Sequence, residues 1–378
     1  MLTQSELGQR IAEAREAARL SQAELGARLG LGQSAVSRIE SGERSVSSLE
    51  LAEVASVLRV SVLELLEERP VSALSVAARA QRAKSPAAVD GALHRAKDLI
   101  AIDHLLDELE VSEPSSPRTP EVPRGAGEPH LQGQEFAEAL RKRLDLGLAP
   151  IPRLPDLIEE RMGIDVALQP LNGGVDGLSL QAERVSLLLV NSEPTWGRQR
   201  FTLCHELAHF LWSDGDEFVV DEGLFDSKRP EEMRANAFAA HFLMPLEGLR
   251  RRLDDADIDA GRAMDLVFHF GVSLEAFLWH AYNAKLLNSA GRHAMNAAGP
   301  RVLALQCGRS AEWQELEQLR GTTRPPTRIV RRALRAYQAG LIGIGPVAEL
   351  EQRSDMAQLR RELEDAGISP FAERAARS

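Results

Sequence analysis

A mainly α fold with a small β-sheet (α+β) is predicted for this 378-residue chain, and three observations carry the prediction. Apolar residues recur at helical spacing over most of the length. Three short β-rich runs, Ile164–Leu168, Leu178–Gln181 and Val185–Val190, lie close together and are separated by glycine and asparagine turns. A stretch between Val111 and Gln134 containing Pro114, Pro117, Pro120, Pro123 and Pro129 divides the chain. The predicted organisation is an N-terminal five-helix domain over 1–69, a helical connector over 71–110 and a proline-rich linker over 111–134. An α+β domain over 135–288 and a helical C-terminal region over 289–378 follow.

The elements are justified in order. Leu7, Ile11, Ala14 and Ala18 share one helical face. Ser21 with Glu24 forms a capping box and opens a second helix running to about Leu29. Gly30, Leu31 and Gly32 make a tight turn, and a third helix runs from about Gln33 to Ser41, closed by Gly42. Ser48–Leu58 and Val62–Glu68 supply two more. The alanine-rich segment 71–110 reads as helix through Leu99, Ile102, Leu105, Leu106 and Leu109. Past the linker come helices over Phe136–Leu146 and Leu154–Met162, the three strands, and a helix beginning near Arg200. A further helix spans Pro230 to Met244 and stops at Pro245. Residues from 246 onward read as helices broken by short loops, with no internal repeat.

Composition narrows the function classes. Hydrophobic residues make up 44% and charged residues 27%, as in ordinary globular protein. No run approaches eighteen apolar residues, so no membrane span is expected. The N-terminus lacks the basic start and apolar run of a secretory signal. Two cysteines, Cys204 and Cys307, imply no disulfide framework. The expected location is cytoplasmic. A net charge of −11 argues against broad nonspecific nucleic-acid binding. Residues 1–70 hold eight arginines, no lysine and eleven glutamates, so they too are net negative, at −3.

The segment His205-Glu206-Leu207-Ala208-His209 carries the chemistry. Histidines four apart on a helix lie about 40° from each other, so both imidazoles can reach one cation. Glu206 stands beside them, where it can take a proton from water activated by the metal. An amphipathic helix carrying two histidines by accident is the bland alternative, and a third ligand decides between them. A metzincin-type third ligand needs glycine three positions after His209 and a ligand three later, where Trp212 and Gly215 stand. A separate downstream helix offers Glu232 in its first turn, just after Pro230. Asn236 shares its face and is placed to hydrogen-bond a ligand. The helix dipole also favours an acid there, and Glu231 is the runner-up ligand. His241 falls about 180° from Glu232 and reads as structural. Cys204 reads as a redox switch or, more plainly, as a small buried packing residue. Arg200 and His241 are the candidates for an oxyanion donor.

These residues carry a resemblance. The run Arg200 to Trp212, the segment Glu232-Met233-Arg234-Ala235-Asn236-Ala237-Phe238-Ala239-Ala240, Leu243-Met244-Pro245, and upstream Asp176-Gly177 and Val190-Asn191 resemble the ImmA/IrrE metallopeptidases over roughly 135–288. The resemblance implies a gluzincin-like site with Zn2+ held by His205, His209 and Glu232, Glu206 as base, and a repressor-type protein as substrate. His241-Phe242 departs from the family, whose members usually carry an acidic then an aliphatic residue there.

Residues 1–69 resemble the XRE (Cro/phage-repressor) helix-turn-helix class through Ser21-Gln22-Ala23-Glu24-Leu25, Ser34-Ala35-Val36-Ser37-Arg38-Ile39-Glu40 and Gly42. Gln33, Ser34 and Ser37 occupy the exposed face of the second helix of the pair, where glutamine can contact adenine. Gln22, Arg38 and Arg44 are placed for phosphate. Operator DNA and a homodimer on a two-fold site are the expected partners. Arg324, Arg328, Arg331, Arg332 and Arg335 form a basic face that reads as a solvated helix surface. The combined expectation is a DNA-binding regulator fused to a zinc endopeptidase. Its rivals are a regulator with a structural or sensory zinc site, and an antitoxin-like interaction module. An intact Glu206 favours the first.

Overall fold

The computed structural model describes residues 3–370 except 19, 59, 61, 67–76, 81–85, 114–126, 172–173, 183–184, 213–228 and 255. In chain order the elements are α1 (Gln4–Ala17), α2 (Gln22–Leu29), α3 (Gln33–Glu40), α4 (Ser48–Leu58), α5 (Val62–Leu66), β1 (Ala77–Ala80) and α6 (Pro86–Glu108). Next come α7 (Pro129–Arg143), α8 (Leu154–Met162), β2 (Asp165–Gln169), β3 (Gly177–Ala182), β4 (Val185–Asn191), α9 (Trp196–Trp212) and α10 (Pro230–Leu243). The chain continues through α11 (Leu246–Leu253), α12 (Ala260–Phe270), α13 (Leu274–Asn283), α14 (Ser289–Ala298), α15 (Pro300–Gln306) and α16 (Ser310–Gln318). It ends with α17 (Thr327–Gln338), α18 (Gly345–Leu350) and α19 (Met356–Asp365). Two compact units result, Met1–Ser75 with Leu93–Leu105, and Val76–Ala92 with Leu106–Ser378.

The first unit contains the five expected helices around Ile11, Leu25, Val36, Ile39, Leu51, Val54, Leu58 and Leu65. The Ser21–Glu24 capping box forms in both directions and starts α2, while Gly30, at φ 67°, ends it in the left-handed conformation. Arg15 crosses to Glu40 at 2.6 Å and joins α1 to α3.

The second unit is built on a four-stranded sheet of order β1-β3-β4-β2. β2 pairs parallel with β4, β3 pairs antiparallel with β4, and β1 pairs antiparallel with β3. All five residues of β2 are buried, as expected for a strand covered on both faces. The core continues through α7 to α10, where Phe136 meets Trp212 at 4.1 Å between ring centroids and Phe238 stacks on Phe242 at 5.2 Å. α7 and α10 approach very closely. A Cβ on Gly133 would fall 2.2 Å from the Arg234 carbonyl oxygen, so only glycine lets the two backbones meet there. Buried Arg141 donates to the carbonyls of Gly147, Ala149 and Phe242, the last in the final turn of α10. Desolvation pushes its pKa down to about 10, so it stays charged at neutral pH and is satisfied by backbone dipoles.

Several expectations need revision. The segment 71–110 is not helix throughout, because Ala77–Ala80 is a strand that finds a sheet edge. The helix expected over Phe136–Leu146 begins at Pro129, so the last residues assigned to the linker are helical. Proline at the first helical positions is compatible with this, since its missing N–H has no intrahelical partner there. Much of the proline-rich stretch itself lies outside the described residues. The basic face is solvated only in part: Arg331 and Arg335 are exposed, whereas Arg324, Arg328 and Arg332 turn to partners within the protein. Arg324 contacts Glu159 at 2.5 Å and Asp156 at 2.8 Å, and Arg328 contacts Asp165 at 2.6 Å. Arg332 is buried against Asp107 and the Val111 carbonyl, while Arg335 meets Glu113. Arg324 also exchanges two backbone hydrogen bonds of 2.8 Å with Leu168 on β2. Residues beyond 288 join the same core, since Met295, Leu303 and Ala304 belong to the same buried cluster as residues of α9 and α10.

The glycine contact yields a direct test. Gly133→Ala should destabilise the second unit by about 1–3 kcal/mol, the usual cost of overpacking. Thermal unfolding measures it, and an unchanged midpoint would show that α7 and α10 are not held at this distance.

Candidate metal centre

α9 lies against the sheet and is buried along most of its length, including Leu203, Cys204, Leu207 and Ala208. Its orientation is held at several points. Arg198 pairs with Asp176 at 2.9 Å, tying its first turns to the start of β3. Asn191, ending β4, donates to the carbonyls of Leu171 and Val175 and accepts from the Leu171 and Glu193 N–H groups. That clasp fastens Leu171 and Val175 to the end of β4, just before Asp176 and Gly177. A Cβ on Gly177 would stand 3.0 Å from Thr202 Cγ2 and 3.1 Å from Glu206 Cγ. The sheet therefore approaches the chemical face of α9 closely at this glycine.

On that face, His205, Glu206 and His209 have at most 2% of their surface exposed, and Glu232 on α10 has 8%. The Nε2 atoms of His205 and His209 are 2.8 Å apart. His205 Nε2 lies 3.2 Å from Glu232 Oε2, and His209 Nε2 lies 3.3 Å from Glu232 Oε1. Among the described residues this is the group of histidine, cysteine and acidic side chains whose donor atoms converge. Three atoms bound tetrahedrally to one cation at about 2.0–2.1 Å stand roughly 3.3 Å from one another, so the triangle fits a single zinc-sized ion. His205 Nδ1 is 3.1 Å from Asn236 Oδ1, which fixes the tautomer and leaves Nε2 with its lone pair toward the other donors.

The electrostatics match that role. Burial pushes His205 down to about 4, against the opposing pull of Glu232, so the imidazole is neutral at neutral pH. Burial alone would raise the Glu232 carboxyl, but His205 and His209 together outweigh it and hold it well below the usual carboxylate range. A neutral imidazole and an ionised carboxylate are the forms that bind metal.

Other expected residues fall elsewhere. Glu231 is not in the cluster. Arg200 does not face it, because its guanidinium donates to the carbonyls of Ile151 and Pro152 and lies beneath Gly271. His241 also faces away, its ring 4.6 Å from that of His280. Neither side chain is directed at the cluster. Cys204 is fully buried in the core and is pushed up to about 12, burial outweighing Arg200 and Arg141, so it is a packing residue and not a thiolate switch. In the first unit, Gln33, Ser34, Ser37 and Arg38 are exposed on α3 while Val36 and Ile39 are buried. Gln22 donates to Glu40 at 2.9 Å and Arg44 pairs with Glu50 at 2.6 Å, so both are engaged within the domain. Sequence reasoning passed over Gly177 as a contact of Glu206. Its only signal was the Asp-Gly pair before a strand.

Two family models match the two regions. One, described as an IrrE N-terminal-like domain, covers residues 159–280, and a helix-turn-helix model covers residues 11–65. Residues 11–65 are therefore similar to a helix-turn-helix domain, and residues 159–280 to an IrrE N-terminal-like domain. The IrrE-like segment includes α9, α10 and all four converging or adjacent residues. The radiation response metalloprotease IrrE of Deinococcus radiodurans is 33% identical over 119 residues, or 29% of this chain. The match spans about a third, 35%, of that relative's length. The structure of Bacillus thuringiensis PlcR in complex with the peptide PapR7 and DNA aligns over 95% of this chain and 99% of that one, at 13% identity and a TM-score of 0.18. ComR from Streptococcus suis aligns over 100% and 96%, at 10% identity and a TM-score of 0.17. Scores that low carry no argument about this chain. No helix among the described residues is long and apolar enough to cross a membrane.

The two cysteines provide a check on the packing of α9. Iodoacetamide at pH 8 should modify the partly exposed Cys307 and leave Cys204 untouched, with both reacting in denaturant. Peptide mapping that found Cys204 labelled first in the folded protein would contradict its burial.

Proposed function

We propose that this chain is a DNA-binding transcription regulator fused to a zinc-dependent endopeptidase that cleaves a repressor-type protein. The single observation that supports the peptidase is the buried triangle of His205, His209 and Glu232 donors with Glu206 beside it, within an IrrE-like segment. His205, His209 and Glu232 would hold Zn2+, and Asn236 would orient His205. Zinc, when bound, supplies Lewis acidity toward a carbonyl and acidifies water. Glu206 would accept the proton of the attacking water and deliver it to the departing amine. A purely structural zinc site has no use for a carboxylate at that position, which is why the catalytic reading stands above a sensory one. The relative from Deinococcus radiodurans is named as a metalloprotease, and that name supports the same class.

For the first unit, the exposed row of Gln33, Ser34, Ser37 and Arg38 on α3 is the proposed recognition surface. Gln22 and Arg44, held by Glu40 and Glu50, would present their remaining donors to phosphate or position the helix pair. A homodimer would place two such surfaces on a two-fold operator. The unit's net negative charge makes α3, not bulk attraction, the source of affinity.

Two experiments test these readings. Metal analysis and cleavage should separate in a variant series. Glu206→Gln should retain zinc while cleavage of a confirmed repressor substrate falls by at least about a hundredfold. His209→Ala and Glu232→Ala should lose both metal and stability, since the ion joins α9 to α10. Wild-type cleavage by Glu206→Gln would falsify the assigned role. For DNA, mobility shifts on the upstream regions of the protein's own operon should show a specific, salt-sensitive complex. Gln33→Ala and Ser37→Ala should each weaken it about 5- to 100-fold if they read bases. A folded protein giving no sequence-dependent shift at low salt would leave an association role for this unit.

A further inference from the structure

β3 is the strand closest to the catalytic face of α9. Gly177 begins it and lies against Glu206. One side of β3 is taken by β4. The other side would be a free sheet edge, and among the described residues it is β1 that covers it. An edge next to a peptidase base is where an extended peptide binds most directly, by adding itself as a strand through main-chain hydrogen bonds.

β1 comes from the segment between the helix-turn-helix domain and the rest of the chain. It pairs Ala77 with Gln181, Ala78 with Leu180, Arg79 with Ser179 and Ala80 with Leu178. The ladder thus runs along β3 toward the active face and ends one residue short of Gly177. Its sequence, Ala-Ala-Arg-Ala, contains no proline and offers an uninterrupted backbone for pairing. Four residues make a short strand, and its partner lies about a hundred positions further along the chain. Such a strand is held by few pairs and closes a long loop, so a competing peptide can displace it.

We propose that β1 acts as an autoinhibitory strand, occupying in cis the edge of β3 along which an extended protein substrate would lie beside Glu206. This rests on the peptidase reading above. It names the substrate as an unfolded or extended polypeptide segment that pairs with β3 through its backbone. It also makes release of the connector the step that opens the site. In chain order β1 follows the last helix of the DNA-binding unit by only ten residues, so an event there that engages the connector would act on the edge.

The test compares the full-length zinc-loaded protein with the variant Ala78→Pro/Arg79→Pro. In an antiparallel pair, alternate residues direct their N–H groups toward the partner, so two adjacent prolines remove one ladder donor in either phase. Three readouts are taken: hydrogen exchange of β3, binding of a fluorescent peptide with the sequence of residues 75–80, and cleavage of fluorescently labelled unfolded casein. The variant should exchange those β3 amides that face β1 at least tenfold faster, with α9 and β4 unchanged, and added peptide should restore their protection. It should bind the peptide at least tenfold more tightly than wild type and cleave casein correspondingly faster. Equal exchange and equal peptide affinity in the two proteins would overturn the inference. Absence of casein cleavage in both would count against the peptidase reading alone, because exchange and peptide binding still decide whether β1 holds the edge.

Discussion

Everything at the candidate metal centre depends on keeping three donor atoms within about 3.3 Å of one another at a buried position. Two imidazoles and a carboxylate do not stay so close by their own attraction, because burial penalises every charged form. The protein resolves this by choosing protonation states. His205 is neutral through burial, Glu232 remains ionised because two imidazoles face it, and Asn236 holds the His205 ring from behind. These are the protonation states in which such a group binds a metal ion.

That demand propagates outward. α9 supplies two donors and α10 the third, so the two helices must keep a fixed separation. Aromatic packing of Phe136, Trp212, Phe238 and Phe242 sets it, and Gly133 lets α7 press on α10 from outside. Arg141 extends the same brace by binding the carbonyl of Phe242. On the other side, Asp176, Gly177 and Asn191 bring β3 to Glu206. The C-terminal helices are part of the brace as well. Arg324, just before α17, reaches α8, and Arg328 on α17 reaches the first residue of β2, adding to the shell that keeps the sheet buried.

The two halves of the chain place their polar groups differently. In the second unit the important side chains are buried and oriented by neighbours, as a site for chemistry requires. In the first, Gln33, Ser34, Ser37 and Arg38 are left in solvent by the packing of Val36 and Ile39 beneath them, as a surface for recognition requires. Glu40 binds Arg15 and Gln22 together, so the helix pair is rigid behind its exposed row.

What the sequence determined by itself is what depends on neighbours a few residues away. Helix periodicity put His205 and His209 on one face, the Ser21–Glu24 box opened α2, and Pro230 opened α10, because each rests on contacts within one or two turns. The three strands near 165–191 were legible for the same reason. Tertiary structure alone places Glu232, and not Glu231, beside the histidines, since both suit a first helical turn and only the packing of α10 on α9 distinguishes them. It also drew Arg324, Arg328 and Arg332 out of solvent, since their acidic partners lie more than 150 residues away for the first two and over 200 for the third. The strand at Ala77–Ala80 was invisible for a related reason. Short alanine-rich runs favour helix by propensity, and only a sheet edge offered by residues a hundred positions further on makes them a strand.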